Sequence, residues 1–470
     1  MGCDVGQMER IDVLPGEVLL EIFDFYVDQD VPYGDKTEVE GWQTLVHVCR
    51  RWRSLVFQSS SRLNLRLYCS PKTPTRDTLD VWPALPLLVM GGMDPTTGMD
   101  NIIVALQQSN RVRQVNLWGF VDWQLEKVLA AMQVPFSELT ILALFAPDDE
   151  MMPVIPIPDS FLGGSAPRLQ YFELSGIPFP GLPKLLLSAT HLVHLELYDI
   201  PHSGYISPEA MVAVLSALSS LETFYLRFQS PQSGPDFESR SLPPPKRSIL
   251  TALYDFEFKG VTEYLEDLLT FIDTPRLNSL YSTFFNQIDF DCPRLAQFIN
   301  RTPSFMALDE ADVQFDDFSA RVRLRSRTSE SSFDDSVIRI LCRETDWQLS
   351  SIEQVCNSLP PCSAIEVLRI DHDYRELVWK NNAIENTLWL QLLLPFTAVK
   401  NLRLSEEFAP GIALALQDVV GDRIAVVMPC LQNIFVEALE PSGPFQKNIA
   451  QFVTARQLSG HPVAISTWNK

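Results

Sequence analysis

Leu192-Val193-His194-Leu195-Glu196-Leu197 and, one helical stretch later, Leu221-Glu222-Thr223-Phe224-Tyr225-Leu226 carry the same phrase, with apolar side chains at the first, fourth and sixth positions. In an extended segment the fourth and sixth side chains point to one side, so each copy offers one apolar face. The phrase recurs outward in both directions. Upstream lie Val112-x-x-Val115-x-Leu117, Leu139-x-x-Leu142-x-Leu144 and Leu169-x-x-Phe172-x-Leu174; downstream lie Leu253-x-x-Phe256-x-Phe258 and a weaker Leu277-x-x-Leu280-x-Ser282. From residue 112 to residue 277 there are six steps, a period of about 27 residues. Helical patterns fill the gaps, at Ile102 to Gln108, Leu125 to Met132, Pro208 to Leu218 and Tyr264 to Phe271.

Each repeat is then one strand plus one helix, and no repeat can bury its apolar face without its neighbours. The fold class that follows is α/β, a solenoid over residues 61–470. The phrase resembles leucine-rich repeats in an irregular form, because the asparagine or cysteine expected three residues after the last apolar position is missing. Phe120, Pro147, Ile177 and Ile200 stand there instead. None of these side chains can build a hydrogen-bonded ladder, so the stack must rest on apolar packing. Strands are also expected at Arg62 to Cys69 and Leu87 to Met90, and the proline-rich stretch Pro231 to Arg247 reads as a surface loop. Past Phe305 the phrase gives way to strict alternation. Val322 and Leu324 interleave with Arg321, Arg323 and Arg325, Val337 to Cys342 is largely apolar, and an inserted β-hairpin is predicted. The phrase returns at Ile365-x-x-Leu368-x-Ile370, Val399-x-x-Leu402-x-Leu404 and Leu431-x-x-Ile434-x-Val436, with helices at Trp347 to Asn357, Thr387 to Leu394 and Ile412 to Val419. A last amphipathic helix, Phe445 to Leu458, would close the exposed end of the core.

The first 60 residues read differently. A helix is expected from Pro15, with Val18, Leu19, Ile22, Phe23 and Tyr26 at helical spacing, and a second from Trp42 through Val56. A polar turn from Asp28 to Glu40 joins them. Two helices this short cannot bury both apolar faces between themselves. Leu14-Pro15-x-Glu17-x-Leu19-x-x-Ile22-Phe23 followed by Leu45-Val46-x-Val48-Cys49-Arg50-x-Trp52-Arg53-x-Leu55 resembles the F-box, especially that of fungal F-box proteins. The resemblance implies that Leu14, Pro15, Leu19, Ile22, Val48, Cys49, Trp52 and Leu55 dock the Skp-type adaptor of a cullin-RING ubiquitin ligase. It covers about a tenth of the chain, and the long acidic turn departs from the shortest F-box pattern. A helical cap on the following core is the alternative.

Composition narrows the function further. With 37 basic against 59 acidic residues the formal charge is -22, and such a surface repels phosphate backbones, so nucleic-acid binding is not expected. No run approaches the length needed to cross a bilayer and no signal peptide opens the chain, which makes a cytoplasmic or nuclear location the expectation. The eight cysteines are scattered without a ligand set and read as free, mostly buried thiols. Hydrolase, P-loop, dinucleotide and zinc-protease motifs are all absent. No enzymatic activity, cofactor or metal is therefore expected. His191 and His194 have a spacing that can hold zinc on a helix but adjoin Leu192 and Leu195, where a strand is expected, and Asp371-His372-Asp373, leaving a strand, reads as a solvated turn or as a metal or acid–base site.

The F-box resemblance, taken with the repeats, implies a substrate-recognition subunit of a Skp-cullin-F-box type ubiquitin ligase. The F-box would reach the adaptor and, through it, a cullin scaffold, while the repeats bind an unidentified protein substrate. A plain interaction scaffold capped by its N-terminal helices is the other reading. Arg321, Arg323, Arg325 and Arg327 would share one face of a strand. They either face water and carboxylates such as Glu330, Asp334 and Asp335, or meet an acidic or phosphorylated segment of the substrate.

Overall fold

The fourth and sixth positions of all ten copies of the apolar phrase lie on β-strands and are buried in every case. The computed structural model describes residues 14–27, 41–93, 98–146, 155–231, 247–285, 292–327, 335–372, 386–419, 426–437 and 443–468. The chain divides into two compact units, Met1–Leu169 and Gln170–Lys470.

In the first unit, three helices, α1 (Gly16–Val27), α2 (Gly41–Val48) and α3 (Arg50–Gln58), precede alternating strands and helices. These are β1 (Leu67–Cys69), α4 (Thr75–Val81), β2 (Leu87–Gly92), α5 (Met99–Leu106), β3 (Val112–Trp118), α6 (Asp122–Ala131) and β4 (Ile141–Phe145). Strands β1 to β4 pair in sequence order, all parallel, with Val115 opposite Leu142 and Leu117 opposite Leu144. Two expectations need correction here. The helix predicted from Trp42 through Val56 is broken at Cys49, whose backbone is extended (φ -157, ψ 168) and whose thiol accepts from Trp52 N–H to cap α3. The strand predicted from Arg62 shrinks to Leu67–Cys69, because residues 59–64 close the end of α3 through a left-handed Asn64.

The second unit runs β5 (Tyr171–Ser175), α7 (Leu182–Leu186), β6 (His194–Ile200), α8 (Pro208–Ala217), β7 (Thr223–Phe228), β8 (Ser248–Ile249), β9 (Asp255–Gly260), α9 (Thr262–Thr270), β10 (Ile272–Asp273), β11 (Ser279–Phe284) and α10 (Pro293–Arg301). It continues β12 (Glu310–Phe315), β13 (Ser319–Arg325), β14 (Asp335–Leu341), α11 (Thr345–Ser358), β15 (Val367–His372), α12 (Asn386–Leu393), β16 (Asn401–Leu404), α13 (Ala409–Gln417), β17 (Asn433–Glu437), α14 (Pro444–Leu458) and β18 (Ala464–Trp468). Parallel register aligns equivalent positions, giving one column of Phe172, Leu195, Phe224, Phe256 and Leu280 and another of Leu174, Leu197, Leu226, Phe258 and Ser282. Phe224 and Phe256 stack, with centroids 5.3 Å apart and planes 9° from parallel. Each fully buried Leu or Phe contributes about 2 kcal/mol of transfer free energy. Phe120, Ile177 and Ile200, where a polar ladder residue would stand, are likewise buried, while Pro147 lies outside the described residues.

The alternating segment is more than a hairpin inserted between two repeats. Strand β13 pairs antiparallel with both β12 and β14, while β14 runs parallel to β11 and β12 parallel to β15. The sheet order becomes β11-β14-β13-β12-β15, so the three strands are part of the sheet itself. At the far end α14 packs on α13, and Arg456, buried, donates to the carbonyls of Pro429 and Leu431 at 3.1 Å each. One further strand, β18, follows and pairs parallel with β17, so α14 is not the last element. Residues 28–40 and 232–246, which hold the acidic turn and most of the proline-rich loop, lie outside the described residues.

Candidate functional site

Helix α1 is apolar on two sides. Leu19, Leu20 and Phe23 turn inward, where the Phe23 ring meets Trp52 at 4.8 Å, while Val18, Ile22, Phe25 and Tyr26 form the opposite side and stay exposed, Phe25 at 73%. The helices are tied together and to the residues after them by polar contacts. Arg51 donates to the Leu14 carbonyl at 2.6 Å, Arg53 to the Val46 carbonyl at 2.9 Å, and Arg62 pairs with Glu21 and Asp24 on α1. Trp42 donates to the Arg66 carbonyl and sets its ring edge-on to Trp82 at 5.1 Å.

This placement divides the eight predicted docking residues. Pro15, Ile22 and Val48 are exposed, Val48 at 55%, and Leu14, Cys49 and Leu55 are half-buried. Leu19 and Trp52 are buried inside the helical cluster and are not surface residues, because their turns of the helix face the neighbouring helices. Phe25 was not singled out from the sequence. Its signal is position, one turn after Ile22 and two after Val18.

The second candidate surface is the side of the sheet away from the buried columns. On β13, Arg321, Arg323 and Arg325 share this side and are half-buried, as period two requires. Several of their partners among the described residues lie on β12 and in the segments beside it. Arg321 donates to Gln314 at 2.6 Å, Arg325 to Glu310 at 2.9 Å, and Arg327, just past the strand, to Asp309 at 2.8 Å and Glu366 at 2.9 Å. Arg323 stands opposite Asp312 in the ladder. Glu330 and Asp334 lie outside the described residues, as does the side chain of Asp335. Burial raises the Asp312 carboxyl above its ordinary range, against the lowering charges of Arg369 and Arg325.

Further along the same side, between β5 and β9, tyrosines and carboxylates alternate. Tyr171 donates to Glu173 at 2.6 Å, Tyr198 to Glu196 at 2.8 Å and Tyr225 to Asp255 at 2.5 Å. Burial, reinforced by these carboxylates, holds all three phenols protonated far above their ordinary range. Burial also raises Glu173; the bond from Tyr171 opposes it and the charge of Glu196 adds to it. None of these residues was selected from the sequence, although they are the letters interleaved with the apolar positions. Asp371 and His372, expected in a turn, belong to β15 and are buried, with Asp371 accepting from Arg369 at 2.8 Å. His194 lies on β6 beside the Tyr171 ring, and among the described residues no group of three His, Cys, Asp or Glu is placed to hold a metal. Cys69, Cys292, Cys342, Cys356 and Cys362 are buried thiols outside any disulfide.

No protein-family profile matches the sequence, and no curated protein matches it. Among solved structures, the leucine-rich repeat-containing protein LegL7 from Legionella pneumophila aligns over 84% of this chain and 98% of its own, at 14% identity and a TM-score of 0.27. So low a score carries no weight, and the strand–helix repeat rests on the register and burial above. No helix among the described residues is long and apolar enough to cross a membrane.

Proposed function

We propose that this chain is the substrate-recognition subunit of a Skp-cullin-F-box type ubiquitin ligase. Helices α1 to α3 dock a Skp-type adaptor, and the column-free side of the sheet receives a protein substrate. The supporting observation is the outer side of α1. Four apolar residues at helical spacing are exposed there while an equally apolar inner side fills the cluster, and such a patch marks a protein-contact surface. Pro15, Ile22 and Val48, three of the residues that carry the F-box resemblance, are exposed as well. No catalytic residue, cofactor or metal belongs to this reading.

A scaffold capped by its own helices is favoured by one specific feature, the fastening of Trp42 to Arg66 and Trp82. Co-purification decides between them. Full-length chain should capture a Skp-type adaptor, and replacing Leu14 and Pro15 by alanine should abolish capture with the rest of the chain still folded. Capture that is absent, or indifferent to this double change, leaves only the scaffold.

A further inference from the structure

The column-free side of β5, β6, β7 and β9 has a chemistry of its own. Parallel register sets Glu173 directly beside Glu196, and Tyr225 and Glu257 continue the row. Adjacent strands are about 4.8 Å apart, so the two glutamates repel when both are ionised, and a cation over them offsets that repulsion. Among the described residues their partners are the hydroxyls of Tyr171 and Tyr198, and each such bond uses one of the roughly four acceptor sites on a carboxylate. Two basic side chains on this side are engaged with other acids, Arg227 with Glu257 and Lys259 with Asp199, and His194 lies against the Tyr171 ring.

Arg227 shows how a guanidinium sits on this surface. Its carbon lies 4.9 Å over the Tyr198 ring while its Nε donates to Glu257 at 2.7 Å, combining a cation–π contact with a charge-assisted hydrogen bond. We propose that the side of the sheet lined by Tyr171, Glu173, Glu196, Tyr198, Tyr225 and Asp255 binds an arginine-rich segment of the partner protein, each guanidinium lying between a tyrosine ring and a carboxylate. The proposal rests on the reading of the repeats as a partner-binding surface and names the chemistry of that partner. Arginine is preferred to lysine because its planar fork can stack and hydrogen-bond at once. A phosphorylated or acidic segment would meet Glu173 and Glu196 as like charges, and the arginines of β13 already have partners on β12.

Fluorescence anisotropy of the full chain tests this with three labelled peptides alternating serine with arginine, lysine or glutamate. The arginine peptide should bind several-fold tighter than the lysine peptide and weaken with salt, and the glutamate peptide should not bind. Replacing Glu173 and Glu196 by glutamine should weaken the arginine peptide at least about ten-fold, the loss of the charge-assisted contacts of two carboxylates. Asp80→Asn with Glu126→Gln removes the same charge from α4 and α6, and should change binding by less than about two-fold. The single variant Glu173→Gln relieves the repulsion, so it should fold at least as well and show a smaller loss in the same direction. Equal losses in the paired and control variants, or preference for the glutamate peptide, would overturn the proposal. Adaptor capture, read in parallel, should be untouched by these changes. Peptide selectivity without adaptor capture would refute the ligase reading alone, and adaptor capture without peptide selectivity would refute this one alone.

Discussion

Replacing Phe256 by alanine tests whether aligned apolar columns hold the second unit together. Phe256 is completely buried, stacked on Phe224 at 5.3 Å, and in register with Phe224 on one side and Leu280 on the other. A buried Phe→Ala change removes about 3–5 kcal/mol, of which the lost ring pair accounts for about 0.5–1.5 kcal/mol. The upper part of that range is expected, because strands pinned on both sides cannot collapse into the cavity. Tyr225 is the contrast. It sits one residue after Phe224 on the other side of β7 and is half-buried, so alanine there should cost about half as much or less. Urea unfolding followed by circular dichroism reads both values if the slope is unchanged. A loss below about 1.5 kcal/mol for Phe256→Ala, or one smaller than that for Tyr225→Ala, would show that the buried side of the sheet has been misassigned.

Arg456→Met leaves the buried carbonyl of Leu431 and the half-buried one of Pro429 without this donor and should cost about 2 kcal/mol, with amide exchange in α14 accelerating first. Burial works to raise the Asp316 carboxyl, but bonds from Ser319, the Phe318 N–H and Arg339 outweigh it and hold the pKa below the ordinary aspartate range. A depressed carboxylate stabilises the fold above its unfolded pKa, about 4, and loses that contribution as pH falls through the folded value. Asp316→Asn should therefore destabilise at neutral pH, and the difference from the parent should vanish on acidification; a difference independent of pH would contradict the ionic role. Arg323→Glu with Arg325→Glu places new acids against buried Asp312 and Glu310, so its melting temperature should fall markedly, and an unchanged melt would argue that these arginines face only solvent.

Much of the fold could be read from the chain because two periodicities coincide. The apolar phrase requires a strand with one buried side, and its repetition brings like positions into register, as Leu195, Phe224 and Phe256 show. Strand β12 was missed for the opposite reason. Glu310-Ala311-Asp312-Val313-Gln314-Phe315 alternates correctly, but Glu310 and Asp312 are acids, which are seldom buried, and arginines on the flanking strands, Arg325 on β13 and Arg369 on β15, make their burial tolerable. The break at Cys49 was hidden because the apolar spacing continues through it and a thiol cap leaves no distinctive letter. At the N-terminal site, spacing separated the apolar residues of α1 from the polar ones but did not say which of them meet each other. Leu19 and Ile22 therefore looked alike, although one is core and the other surface. The tyrosine–carboxylate surface was written in the same phrases, in the positions between the leucines, and only strand register shows that Glu173 lies against Glu196.

The most direct test is a titration of purified full-length chain with a recombinant Skp-type adaptor, comparing the parent with an Ile22→Asp, Val48→Asp variant. Both residues are exposed, so the double change should leave the fold intact by circular dichroism. The parent is expected to form an equimolar complex and the variant to bind at least about a hundred-fold more weakly, since each charge would be buried unpaired against the adaptor. A parent that forms no complex, or a folded variant that binds as tightly as the parent, would contradict adaptor docking by the N-terminal helices.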